Sequence, residues 1–113
     1  MNYKGKVQLT IVIDSPAELE AEGDRIFAMH EPWMKGSHHR EGDKALLQYN
    51  VAKTPANDGR VFFIMTEIYE TTAGIDDHIA QANEDAHHDP LLAWWEKCNV
   101  TFIRDGVIFN SLW

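Results

Sequence analysis

The sequence predicts a single α+β domain in the order βαββα(α)β, and three observations carry that prediction. Residues 6–13, 44–53 and 60–70 alternate with the two-residue period of strands. Residues after Pro16 and after Thr72 place apolar side chains three and four apart, the spacing of one buried helix face. No repeat, linker or low-complexity tract divides the 113 residues, so one core is expected over residues 1–113.

In the first strand Val7, Leu9, Ile11 and Ile13 share one face and Gln8, Thr10 and Val12 the other. Asp14-Ser15-Pro16 is expected to end it, with Ser15 capping a helix, Pro16 at the first helical position and Glu18 completing a capping box. The helix buries Leu19, Gly23, Ile26, Phe27 and His30, and turns Glu18, Glu20, Glu22 and Arg25 to water. Pro32 is expected to end or kink it, because proline lacks the amide hydrogen and clashes with the preceding turn. Residues 33–43 are then irregular or a second helical piece.

Two strands follow, joined by a polar reversal at residues 54–59. In the second of them Val61, Phe63, Met65, Glu67 and Tyr69 oppose Phe62, Ile64, Thr66 and Ile68. Thr71 and Thr72 can cap a helix whose inner face is Ile75, His78, Ile79 and Ala82, with Asp76 and Asp77 near its positive end. Asp89-Pro90 opens a short helix rich in Leu and Trp that runs to Cys98. Residues 100–103 and 107–110 flank Asp105-Gly106, a hairpin signal, so the last strand is expected to be bent or doubled.

Two helices on one face of a four-stranded antiparallel sheet is the ferredoxin-like solution, and it leaves the second sheet face uncovered. The third strand is largely apolar on both faces, and residues 107–113 add Val107, Ile108, Phe109, Leu112 and Trp113, which predicts a homodimer. The 18 acidic and 10 basic residues give a net charge of −8, which repels nucleic-acid phosphates and anionic membrane surfaces. No apolar run is long enough to span a bilayer and no secretory segment is seen. The one cysteine, Cys98, cannot form an internal disulfide, so a cytoplasmic location is expected.

Residues 41–51, Glu-Gly-Asp-Lys-Ala-Leu-Leu-Gln-Tyr-Asn-Val, form an acidic-glycine turn leading into a strand with a central tyrosine. Thr66-Glu67-Ile68-Tyr69-Glu70 leads on to Asp77-His78. Both stretches resemble the dimeric α+β barrel superfamily, and within it the antibiotic-biosynthesis-monooxygenase-like group. That resemblance implies a dimeric α/β barrel that oxidises a small aromatic or polyketide-like phenol or quinol without a cofactor. It implies His78 as the group that takes the substrate's proton. The haem-degrading branch adds an asparagine on the first strand and a tryptophan on the third, where this chain has Gln8, Thr10 and Tyr69, so haem is not expected.

An imidazole on the inner face of the second helix can accept a proton from a phenol or enol, or can be a core histidine bonded to Glu67, Tyr69 or a carbonyl. Trp33, Tyr49, Tyr69 and Trp94 are candidate walls of an aromatic pocket, with Gln48 and Asn50 as orienting hydrogen bonders; Trp95 belongs with them, and plain core is the competing reading. Six histidines invite a metal, yet none of their spacings is a ligand motif, so no metal is expected. Gly-rich phosphate loops and nucleophile motifs are absent, so no nucleotide cofactor is expected. Alternative readings are a non-catalytic or stress-related barrel that holds a small apolar ligand, and a small-metabolite isomerase.

Overall fold

Buried and half-buried positions alternate along β1 (Val7–Pro16), which turns Leu9, Ile11 and Ile13 to the helix layer. The computed structural model describes residues 2–113. After β1 come a 3-10 turn (Ala17–Leu19), α1 (Glu20–Ser37), β2 (Leu46–Lys53), β3 (Arg60–Tyr69), α2 (Thr72–Glu84), α3 (His88–Trp95) and β4 (Asn99–Val107). The sheet order is β2-β3-β1-β4, with every neighbouring pair antiparallel. The fold is thus α+β and ferredoxin-like, as its hydrophobic periods predict.

The core lies between the sheet and the helices, where Leu9, Ile13, Val61 and Phe63 meet Ile26, Met34, Ile75 and Trp94. Two close approaches fix the layers. A Cβ on Gly23 would lie 2.5 Å from Trp94 Cζ2 and 2.7 Å from Phe63 Cζ, so α1 rests against α3 and β3 only because that position is bare. At the start of α2 a Cβ on Gly74 would lie 2.5 Å from Tyr69 Cδ1, and this contact sets the depth of the next turn, which carries His78.

Three local signals act otherwise than as a cap, a stop and a hairpin, for physical reasons. Ser15 caps nothing: it is buried within β1, pairs with Val61, and its hydroxyl donates to the Pro16 carbonyl at 2.9 Å. Pro32 does not end α1, which runs on to Ser37. The lost hydrogen bond is offset because the extra turns bury Met34 and bring Trp33 against the core. Asp105-Gly106 makes a bulge and no hairpin: Asp105 has φ of 64°, and the register on β1 steps from Thr10↔Ile103 to Gln8↔Gly106, leaving one extra residue on β4. The other Asp-Gly pair, Asp58-Gly59, does make the expected reversal, with φ of 53° and 76° between the mutually bonded Asn57 and Arg60.

The open sheet face carries Val12, Ile64, Ile68, Phe62 and Ile103, interleaved with Gln8, Thr10, Gln48, Asn50, Thr66 and Thr101. It is therefore more polar than β3 alone suggests. Residues 108–113 leave β4 and run back along residues 2–6, with Ile108 bonded to Gly5 and Lys6 and Ser111 to Asn2 and Tyr3. Phe109, Leu112 and Trp113 remain exposed there. Among the described residues no helix is long and apolar enough to cross a membrane.

Candidate functional site

Four histidines from separate segments converge between the helices and the sheet. His30 comes from the inner face of α1, His38 from the residue after it, His78 from α2 and His87 from the link into α3; all four are buried. His38 and His78 rings are 5.0 Å apart, His30 and His87 5.3 Å, and His30 and His78 6.1 Å. Trp33 stands among them, 4.8 Å from the His87 ring and 5.6 Å from that of His78. Had α1 stopped at Pro32, neither Trp33 nor His38 would be in place.

A hydrogen-bond relay fixes the tautomers. The Ser37 hydroxyl donates to the Trp33 carbonyl at 2.6 Å, so its oxygen accepts from His38 Nδ1 at 2.9 Å. His38 Nε2 is then an acceptor, and His78 Nδ1 donates to it at 2.8 Å. The lone pair of His78 is left on Nε2. On the other side His30 Nδ1 shares a 2.9 Å hydrogen bond with the Tyr49 hydroxyl. Burial, reinforced by the neighbouring imidazoles, lowers His30 and His78 to about 3, and burial also lowers His38, so the relay is neutral at ordinary pH.

Beneath the histidines is Glu67 of β3, fully buried at an inward position. Its Oε1 accepts from the Tyr69 hydroxyl at 2.5 Å and lies 3.6 Å from His78 Nδ1, while Oε2 has no partner. Desolvation raises its pKa to about 7 against the opposing Tyr69 hydrogen bond. Burial and the adjacent Glu67 also push the Tyr69 phenol above its usual range. One nitrogen each of His30 and His78 and one oxygen of Glu67 lie within 4.8 Å of one another.

His87 is built differently. Its Nδ1 is paired with Asp85 Oδ2, and its Nε2 is buried without a partner. The same hydrogen bond holds the Asp85 carboxyl below its usual range. Asp85 also accepts from the His87 backbone amide at 3.0 Å, which locks the dyad in the turn before α3. Beside these groups opens a cavity of about 170 Å³ lined by His30, His78, Asn83, His87 and His88 and by apolar side chains including Ile11, Phe27, Met65, Trp95 and Phe102. It is a greasy pocket with a polar wall of imidazoles.

The residues singled out from the sequence divide cleanly. His78, Trp33, Tyr49 and Tyr69 come together in this site. Gln48 and Asn50 pair with Ile68 and Thr66 and so face the opposite side of the sheet. Trp94 is wholly buried against Phe27 and Phe63, and its neighbour Trp95 lines the cavity instead. The sequence reading named Glu67 only as a possible partner of His78 and His30 only as a buried helix position, and did not bring His38 or the Asp85–His87 pair to the site. A carboxylate at an inward strand position was the available signal for the first.

These features define a ferredoxin-like α+β domain with a buried histidine–carboxylate site. No protein-family model and no curated protein matches the sequence. Similar solved structures include the following two. One is a dimeric ferredoxin-like protein from an uncultured marine organism, with TM-score 0.62, 16% identity, and 88% of this chain and 92% of that chain covered. The other is a Pseudomonas aeruginosa protein, with TM-score 0.58, 18% identity, and 90% and 93% covered. At such identities the likeness is one of fold.

Proposed function

We propose that the chain is a homodimeric oxygenase of the antibiotic-biosynthesis-monooxygenase kind, acting on a single-ring phenol or quinol held in the cavity beside α2. The observation that carries this reading is the Asp85–His87 dyad, whose His87 lines a mostly apolar pocket and whose buried Nε2 has no hydrogen-bond partner. A carboxylate on Nδ1 orients the imidazole and leaves Nε2 to accept a proton, as a base on a phenol requires. His78, the base suggested by the sequence, is too desolvated to hold a proton well.

The size of the cavity narrows the substrate class. An apolar cavity of roughly 150 Å³ takes benzene, so one ring fits here and a fused polyketide does not. A 1,4-benzenediol and dioxygen give a hydroxybenzoquinone and water. The diol supplies all four electrons, one oxygen atom enters the ring, and loss of the phenolic proton to His87 starts the step.

Homodimer formation is part of the proposal. Phe62 and Ile103 on the open face are 40% and 54% exposed, and Trp113 is 89% exposed, a distribution a monomer rarely keeps. One structural neighbour is described as dimeric. The decisive experiment is oxygen uptake with single-ring phenols and diols beside naphthols and anthrones, with and without chelator. Uptake with the one-ring compounds supports the oxygenase, uptake with none refutes it, and tight binding without uptake makes the chain a ligand-binding barrel.

A further inference from the structure

We propose that His30, Glu67 and His78 bind one divalent transition-metal ion at the polar wall of the cavity. The proposal rests on the geometry of the site and not on the reaction proposed above. Two imidazoles and one carboxylate, each from a different element and each buried, bring donor atoms within 4.8 Å of one another. Bonds of about 2.0–2.2 Å to a single ion would draw them closer by small side-chain rotations.

Two features point to a ligand in that space. Glu67 Oε2 is buried with no partner, although an unsatisfied buried carboxylate oxygen is costly. Both histidines already use Nδ1, His30 with Tyr49 and His78 with His38, which leaves Nε2 for coordination; the His78 nitrogen nearest Glu67 is Nδ1, at 3.6 Å from Oε1, so a bond through Nε2 needs a turn of that ring. Such Nδ1 bonds are the outer arrangement that orients metal-bound imidazoles, with Tyr69 doing the same for the carboxylate.

The donor set selects the ion. Two imidazoles and one carboxylate with free coordination positions suit iron(II) or zinc(II), whereas calcium and magnesium prefer oxygen donors throughout. Since His30 and His78 line the cavity, its free positions would face the pocket, where a phenolate or another anionic oxygen is the class of ligand to complete the shell.

Cobalt(II) is the probe, because its visible d–d absorption reports the number and kind of ligands. Chelator-treated, full-length protein should bind one cobalt per chain, melt at a higher temperature when loaded, and show two exchangeable, paramagnetically shifted imidazole N–H resonances. Zinc(II) should displace the cobalt. Glu67→Gln, which keeps the shape of the side chain, should weaken binding by about 100-fold, and His38→Gln, in the outer layer, by roughly 10-fold. His39→Ala, on the exposed side of the loop, should leave it unchanged.

Absence of d–d bands at several equivalents of cobalt overturns the proposal. So does binding that survives in Glu67→Gln, His30→Ala and His78→Ala alike. Should the alanine variants not fold, the spectrum and the two N–H resonances of the wild type decide alone. Cobalt binding without oxygen uptake would retain the metal site and remove the oxygenase, and oxygen uptake by a protein that binds no cobalt would do the reverse.

Discussion

Replacing His78 by alanine tests whether the imidazole relay also holds α2 to α1. His78 Nδ1 is the donor to His38 Nε2, and His38 is itself fixed by Ser37, so the substitution strips a buried acceptor of its partner. An unsatisfied acceptor costs roughly 1–3 kcal/mol, and the vacated space adds to that. Alanine returns about 0.5 kcal/mol through its greater helix propensity. The net loss is about 2 kcal/mol, which for a chain of this size lowers Tm by roughly 8–16 °C at about 4–8 °C per kcal/mol. Differential scanning calorimetry of chelator-treated protein measures this without any contribution from bound metal. His78→Gln supplies an amide donor at a similar reach and is expected to recover about half of the loss. If His78→Ala melts within about 2 °C of the parent, the relay contributes nothing to stability and the deduced tautomers lose their support.

Asp85→Asn keeps the shape of the turn but removes the charge that orients His87, and oxygen uptake on a one-ring diol should fall by roughly 10²-fold while Tm stays close to the parent value. Ile103→Lys places a charge on the open sheet face and is expected to convert dimer to monomer in sedimentation velocity; an unchanged sedimentation coefficient counts against that interface. Gly23→Ala drives a methyl group into Trp94 and Phe63 and should destabilise by about 1–3 kcal/mol in urea unfolding, in spite of alanine's better helix propensity. Asn50→Ala, on the face away from the cavity, should leave KM for any cavity substrate within about two-fold of the parent.

The strands were legible because one face of each central strand is buried, and burial on one face writes a two-residue period into β1 and β3. Where the sequence misled, a local signal served two purposes. Asp-Gly supplies positive φ for a hairpin at Asp58-Gly59 and for a bulge at Asp105-Gly106, and only the pairing available downstream, Val107 with Val7, distinguishes them. Pro32 reads as a stop, but the residues beyond it are apolar enough to keep the helix docked. Ser15-Pro16 reads as a cap, whereas pairing with Val61 and Arg60 holds both in the strand. The site was only partly legible for a similar reason. His78 stood out on a helix face, yet His30, His38, Glu67 and His87 are far apart in sequence, so no ligand spacing records their meeting. Gln48 and Asn50 flank Tyr49 in the sequence, and alternation puts them on the face opposite to it.

That alternation also explains why assembly and chemistry need not compete in this fold. A sheet covered by helices on one side has two kinds of surface: a flat open face, suited to another flat face, and a gap between layers, where side chains from several elements converge. The candidate centre uses the second, drawing His30 and His78 from helices and Glu67 from the same strand whose alternate residues, Phe62, Ile64 and Ile68, look the other way. β3 is therefore shared between the two, and a change on one of its faces reaches the other only through the backbone. If that separation holds, Ile103→Lys and Asp85→Asn should act independently: the double variant should be monomeric and should retain the residual turnover of Asp85→Asn alone, within the few tenths of a kcal/mol expected of distant sites. A monomer whose turnover falls much further would mean that the second copy closes the cavity, and the two faces would then form one functional unit.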